Sequence, residues 1–336
     1  MPSRVLAILL ALLASAAQGG PAQTFKVATL APDGSAWMTE FRAAAAAIGA
    51  RSDGRVAFKF YPGGVMGNDQ SVLRKIRIGQ LHGAALTGGG IAEVYPDSRI
   101  YGLPLMFRDQ GELDFVRARM DATFNKGLEA AGFVNFGFAD GGFAVLMSTQ
   151  PIARLDDLRK NKAWVPEGDP ISYAMIQALG VPPVTLPLTD VMTGLSTGLI
   201  ATIGASPLGA VTFQWHTKVK FVTEAPFTWL FGVFCLDRKQ FEKLSAADQA
   251  AVREVLGDTF RKLNAQNRID DGRAREALAK QGLRIAPLPA EELAKLERIA
   301  GEVSHKLALQ GTFDPKLYAQ ALDLTRQYRS TKRAAP

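Results

Sequence analysis

The sequence has 336 residues, 47% hydrophobic and 21% charged, with a formal net charge of +7 and one cysteine, Cys235. The positive charge is spread along the chain, without a dense Lys/Arg run or basic residues interleaved with aromatics, which argues against a nucleic-acid-binding protein. A lone cysteine excludes an internal disulfide, and its place in the apolar run WLFGVFCL predicts a buried, inert thiol.

The first residues, MPSRVLAILLALLASAAQGGPAQ, set one arginine before a short apolar run and follow it with small residues. This is the layout of a secretory signal peptide over residues 1–22, with cleavage expected between about Ala16 and Ala22. The run from Val5 to Leu13 is too short for a bilayer, which needs ~20 residues. The mature chain is expected to be soluble and exported. It keeps roughly 310 residues, above the ~250–300 at which one core stops growing, so two domains are expected.

From Thr24 the order is TFKVATL as a strand, a helix from about Ser35, RVAFKFYP as a strand, a helix from about Asn68, and HGAALT as a strand. This βαβαβ order predicts a mostly parallel sheet covered by helices. FVNFGFA and FAVLMST then read as two strands, followed by KAWVP, a helix over about Pro170–Leu179, VTLPL, a helix after Thr189, and LIATIGA. After the strand-like FTWLFGVFCL, Ser245 with Asp248 three residues on opens a helix whose apolar spacing runs to a stop at Gly282. Roughly 36 residues at 1.5 Å each give about 54 Å, long enough to cross both lobes. Two amphipathic helices, from about Ala290 and about Asp314, complete the chain, with a frayed end at STKRAAP.

No catalytic set is convincing. GLSTG around Ser196 matches the G-x-S-x-G nucleophile elbow of serine hydrolases, but the preceding TDVMTGL reads as a helix where the elbow needs a strand. A secreted hydrolase using Ser196, with His305 as its late histidine, is the rival reading from another class. His82, His216 and His305 lack metal-ligand spacing, so no metal site is expected. TGGG at 87–90 lacks the dinucleotide fingerprint, and no cofactor is expected; glycines there allow close backbone approach instead. An exported two-lobed α/β chain without a catalytic set points to a binding protein with its ligand between the lobes.

KVATLAPDGSAW, GRVAFKFYPGGVMGNDQSVLRKIRIGQLHGAAL, YGLPLMFRD, DLRKNKAWVPEGDPISYAMIQALGVPPVTLPLTDVMTGLSTGLI and LSAADQAAVREV, in that order, resemble the periplasmic solute-binding proteins of TRAP transporters, the DctP-like family. The resemblance implies an α/β fold of two lobes joined by hinge strands, with a long helix bridging them. It assigns residues 24–147 and about 236–275 to lobe I, and 148–235 and about 276–330 to lobe II. It further implies a periplasmic, non-enzymatic receptor that closes around a small-molecule ligand and delivers it to the membrane subunits of an ion-gradient-driven TRAP permease.

Most members clamp a carboxylate with an arginine on the strand that here reads KAWVP, and that arginine falls on Trp164. In sialic-acid-binding members a second arginine falls near Ala144, a glutamate near Thr87, and asparagines near Leu30 and Ser206. An aspartate and a glutamate of the GLIATIGASP segment are missing too. Tryptophan in place of arginine removes five donors and a fixed charge and adds a large apolar face. The expected pocket is lined by Trp164, Phe143, Ala144, Leu30, Met66, Leu188 and Trp215, for an aromatic, aliphatic or lipid-like ligand. A carboxylate on that ligand would be held by backbone N–H groups of Gly88, Gly89 and Gly90, or by Ser206, with Thr87 bordering the cleft. A small C4-dicarboxylate is the alternative ligand, and plain core packing the alternative role of Trp164.

Overall fold

The computed structural model describes residues 23–334, so the expected signal peptide lies outside the described residues. The first half is built from β1 (Gln23–Thr29), α1 (Ala36–Arg51), β2 (Val56–Tyr61), α2 (Asp69–Arg77) and β3 (Gly83–Thr87). Its strands are parallel, as the βαβαβ reading anticipates. Ser35 and Asn68 cap α1 and α2, each side-chain oxygen accepting a backbone N–H three residues on.

The second half contains β5 (Ala163–Pro166), α6 (Pro170–Ala178), β6 (Pro183–Leu186), α7 (Val191–Thr197), β7 (Thr202–Ala205) and α8 (Pro207–Thr212). Here β5 lies parallel to both β6 and β7. Between the halves run two long antiparallel strands, β4 (Phe133–Ser148) and β8 (Phe221–Asp237). The sheet order is β2-β1-β3-β8-β4-β7-β5-β6, with a short β9 (Arg284–Pro287) added to β8. The sheet is therefore parallel in its two flanks and where β9 joins β8, and antiparallel where β3, β8, β4 and β7 meet.

β4 also replaces the two strands expected from FVNFGFA and FAVLMST. Gly141 and Gly142 between them form no turn; the β4–β8 register slips around Asp140 and Phe143, the mark of a bulge. Gly142 has φ +80°, which L side chains avoid, so the strand bends there without ending. β8 reports the same passage in its burial. Thr223, Ala225, Phe227 and Trp229 alternate with more exposed residues, whereas Val233 to Leu236 are all buried, because the strand moves from a one-faced to a two-faced core. Cys235 lies in that second stretch, fully buried, its thiol pushed up to about 12 by desolvation.

The strap across both halves is α10 (Ala246–Lys280), 35 residues capped by Ser245, whose hydroxyl accepts the Asp248 N–H at 3.1 Å. It packs on α1 in the first half, β4 in the middle and α8 in the second. The central contact is Asp140, which is 1% exposed. Its carboxylate accepts from Trp229 Nε1 at 2.8 Å, Arg268 Nε at 2.9 Å and the Gly142 N–H at 3.0 Å, while Asn267 Nδ2 donates to its carbonyl at 2.8 Å. Arg268 also reaches Asp114 on a helix the sequence reading did not anticipate, α4 (Gln110–Ala130). Of the two terminal helices, α11 (Ala290–Leu309) packs on α6 in the second half. The other, α12 (Pro315–Ala334), packs on α4, with Arg329 Nε donating to the buried Glu112 at 2.6 Å.

Candidate functional site

A cavity of about 410 Å³ opens between the halves at the carboxyl ends of their strands, where open α/β sheets place ligands. The first half lines it with Leu30 after β1, Asn68 and Asp69 at the start of α2, and Thr87 to Gly90 at the end of β3. The second half supplies Trp164 on β5, Leu188 after β6, Ser206 after β7, and Phe213 and Trp215. Ala144 of β4 and Phe231 of β8 come from the connecting strands.

Trp164 is both core and lining. It is 7% exposed and belongs to the cluster of Val191, Leu195, Ile203 and Trp215. Its ring meets Trp215 edge to face at 5.6 Å, and Trp215 in turn stacks on Phe213 at 5.1 Å. The Trp164 Nε1–H donates to the Leu186 carbonyl at 2.9 Å. The one donor that tryptophan brought in place of a guanidinium is thus used internally.

The TGGG turn is shaped by what lies behind it. A Cβ on Gly88 would stand 2.8 Å from the Phe231 ring, and one on Gly90 2.4 Å from the Asp69 carboxylate. The glycines let Asp69 tuck under α3 (Gly88–Ala92), where its Oδ2 bonds the Thr87 hydroxyl at 2.6 Å and accepts the Thr87 N–H at 3.2 Å. The Gly90 N–H donates to Thr87 Oγ1 at 3.1 Å. Ser206 likewise accepts the Gly209 N–H at 3.1 Å as the cap of α8. Of the donors expected for a ligand carboxylate, the Gly90 N–H is taken up by Thr87 Oγ1, whereas Ser206 Oγ accepts within its own helix and keeps its O–H as a donor.

Burial pushes the Asp69 carboxyl above its ordinary value, with the two Thr87 hydrogen bonds pulling it back. A carboxyl whose pKa is higher folded than unfolded binds more protons in the folded state between the two values, so its contribution to stability falls as pH rises through that window. Asp69→Asn, which keeps both contacts to Thr87, should flatten the profile of melting temperature against pH, gaining on wild type as pH rises from the usual carboxylate range. Parallel profiles for the two proteins would refute the shift.

Two expected lining residues stand elsewhere. Phe143 lines a second cavity of about 540 Å³ behind β4, with Val145, Met147 and Leu278 under α10. Its neighbour Ala144 faces the first cavity, as alternation along a strand requires. Met66 lines a small void beneath Leu30, and its carbonyl accepts from Lys75 Nζ at 2.6 Å. Ser196 is exposed on α7, without the strand-to-helix elbow a nucleophile needs.

Several lining residues were not singled out in the sequence: Arg99, Glu93, Glu167, Asp169, Thr202 and Phe231. Asn68 Nδ2 donates across the mouth to Glu167 Oε2 at 2.6 Å, and Gly168 sits against Gln70 and Glu93, so the halves touch over the cavity. Arg99 is the single cation among the lining residues, half-buried; burial lowers its pKa from the ordinary guanidinium value, and Glu93 and Asp169 pull it partly back.

Residues 27–310 match the family model of bacterial extracellular solute-binding protein, family 7, DctP. The chain belongs to that family. It is a solute-binding receptor of the TRAP type, and not an enzyme. The C4-dicarboxylate-binding periplasmic protein DctP of Rhodobacter capsulatus is 22% identical over 76% of this chain and 78% of its own. Among solved structures, the sugar acid binding protein DctPAm from Advenella mimigardefordensis with galactonate superposes with a TM-score of 0.84 at 18% identity, covering 91% of this chain and 99% of that one. The extracytoplasmic solute receptor DctP7 of Bordetella pertussis, which binds pyroglutamic acid, gives 0.82 at 19% identity over 91% and 100%. These likenesses show the two-lobed receptor fold. Among the described residues no helix is long and apolar enough to cross a membrane.

Proposed function

We propose that this family 7 receptor acts in the periplasm, closes around a largely apolar, aromatic or lipid-like ligand, and passes it to the membrane subunits of a TRAP permease. The observation that carries the reading is Trp164: at the strand position where most members hold an arginine, an indole lines the cavity and its N–H is satisfied by Leu186. Burying about 200 Å² of apolar ligand surface contributes roughly 5 kcal/mol before ordering costs. Contacts from both halves favour the closed form, because a ligand shifts an equilibrium only by its differential affinity for the two states. In this reading lobe I comprises β1 to β3 with α4 and α12, lobe II comprises β5 to β7 with α11, and β4, β8 and α10 form the hinge. Lobe I so drawn takes in the terminal helix that the sequence reading gave to lobe II.

The second reading, a small organic acid, is favoured by the relatives, whose names include C4-dicarboxylate, galactonate and pyroglutamic acid. Thermal-shift measurement separates the two. N-phenyl-1-naphthylamine, a neutral probe of apolar pockets, is expected to raise the melting temperature and to gain fluorescence on binding, whereas succinate and galactonate leave the protein unshifted. Stabilisation by succinate or galactonate without probe binding would favour the acid.

A further inference from the structure

The charge around the cavity runs opposite to what an acid would need. Asp69, Glu93, Glu167 and Asp169 line it from both halves, and none has an ion-pair partner among the described residues. Only Asp140, a fifth lining carboxylate, is neutralised, by Arg268. Arg99 stands alone against the four and already lies in the field of Glu93 and Asp169. Each of these that is ionised raises the free energy of a bound anion and lowers that of a bound cation, Asp69 least, because burial disfavours its charged form.

A second, independent feature points to a ligand. Thr202 is 1% exposed and lines this cavity, and its Oγ1 is the buried side-chain polar atom without a hydrogen-bond partner among the described residues. An orphaned buried hydroxyl is costly unless something in the chamber completes it. Its lone pairs suit an N–H donor. Trp164, Trp215 and Phe213 add aromatic faces, which attract cations through the ring quadrupole. Meanwhile three donors at the cavity are engaged within the protein: Trp164 Nε1 on Leu186, the Thr87 N–H on Asp69, and Asn68 Nδ2 on Glu167.

We infer that the ligand's polar end is an organic ammonium, its apolar body lying against Trp164 and Trp215 and its N–H groups facing Thr202 Oγ1 and the lining carboxylates. This deepens, and rests on, the reading of an apolar chamber. The chamber is thereby specific for amphipathic amines over acids of the same skeleton.

Displacement of N-phenyl-1-naphthylamine by 4-phenylbutylamine, 4-phenylbutanol and 4-phenylbutyrate tests the inference, since the three competitors share one body and differ in head-group charge. The amine should displace the probe at about tenfold lower concentration than the acid, with the alcohol between them, and high salt should narrow the spread. Glu167→Gln, at an exposed position, should shrink the amine-to-acid ratio severalfold, and Thr202→Val should weaken the amine most. Equal or stronger displacement by 4-phenylbutyrate, with the probe bound, would overturn the ammonium inference alone. Failure of the probe to bind, together with no thermal shift from any of the three, would overturn the apolar chamber as well.

Discussion

Trp164→Ala is expected to lower the free energy of unfolding by about 3–5 kcal/mol, the usual cost of emptying a buried tryptophan site, and to weaken N-phenyl-1-naphthylamine binding at least about tenfold. The residue is 7% exposed and holds Trp215 edge to face at 5.6 Å, so its loss leaves a void in the second-half core and removes a wall of the ligand chamber together. Trp164→Phe separates the two roles. It keeps most of the ring and gives up the Nε1–H, and the Leu186 carbonyl retains the Glu167 N–H at 3.1 Å, so the cost should fall to about 1 kcal/mol. Urea titration of the three proteins, with probe affinity read alongside, checks both effects. An alanine variant as stable as wild type would show that the indole is not packed as described.

Asp140→Ala should be as costly, about 3–5 kcal/mol, because it strips a buried carboxylate from a pair whose other member stays in place. Trp229 Nε1 and the Gly142 N–H lose their acceptor, and Arg268 keeps only Asp114. Asp140→Asn is expected to recover part of this. Its amide offers one acceptor oxygen, but its NH₂ meets the Arg268 N–H donor that the carboxylate had accepted. The position joins the bulge of β4 to the middle of α10, so both variants should also change how steeply ligand stabilises the fold. Denaturant midpoints for Asp140→Ala within error of wild type would remove this junction from the hinge.

The long helix was legible because its signals are local: Ser245 and Asp248 at the start, a run of helical spacing, and Gly282 at φ +94° after the end. The helix over Gln110–Ala130 carried the same kind of signal, with Asp109 as cap and Leu113, Val116, Met120, Phe124 and Leu128 buried on one face, yet it was not anticipated. The single strand β4 was not legible, because paired glycines read as a turn unless the long partner strand β8 is known to run past them. In the site, the family resemblance pointed to Trp164, Ala144, Thr87, Leu30 and Ser206, which line the cavity, whereas the expected Phe143 and Met66 line others. Adjacent Phe143 and Ala144 cannot both face one side of a sheet, and period-two alternation alone separates them. The unpaired carboxylates, the closed mouth at Asn68–Glu167 and the orphaned Thr202 hydroxyl join segments about a hundred residues apart or depend on burial, and no local pattern announces them.

Native mass spectrometry of the protein, purified gently from an exporting bacterial host, tests the central claim most directly. The account predicts an apolar organic molecule carried on wild type and lost from Trp164→Ala. A bound dicarboxylate or sugar acid, retained by both proteins, would contradict it.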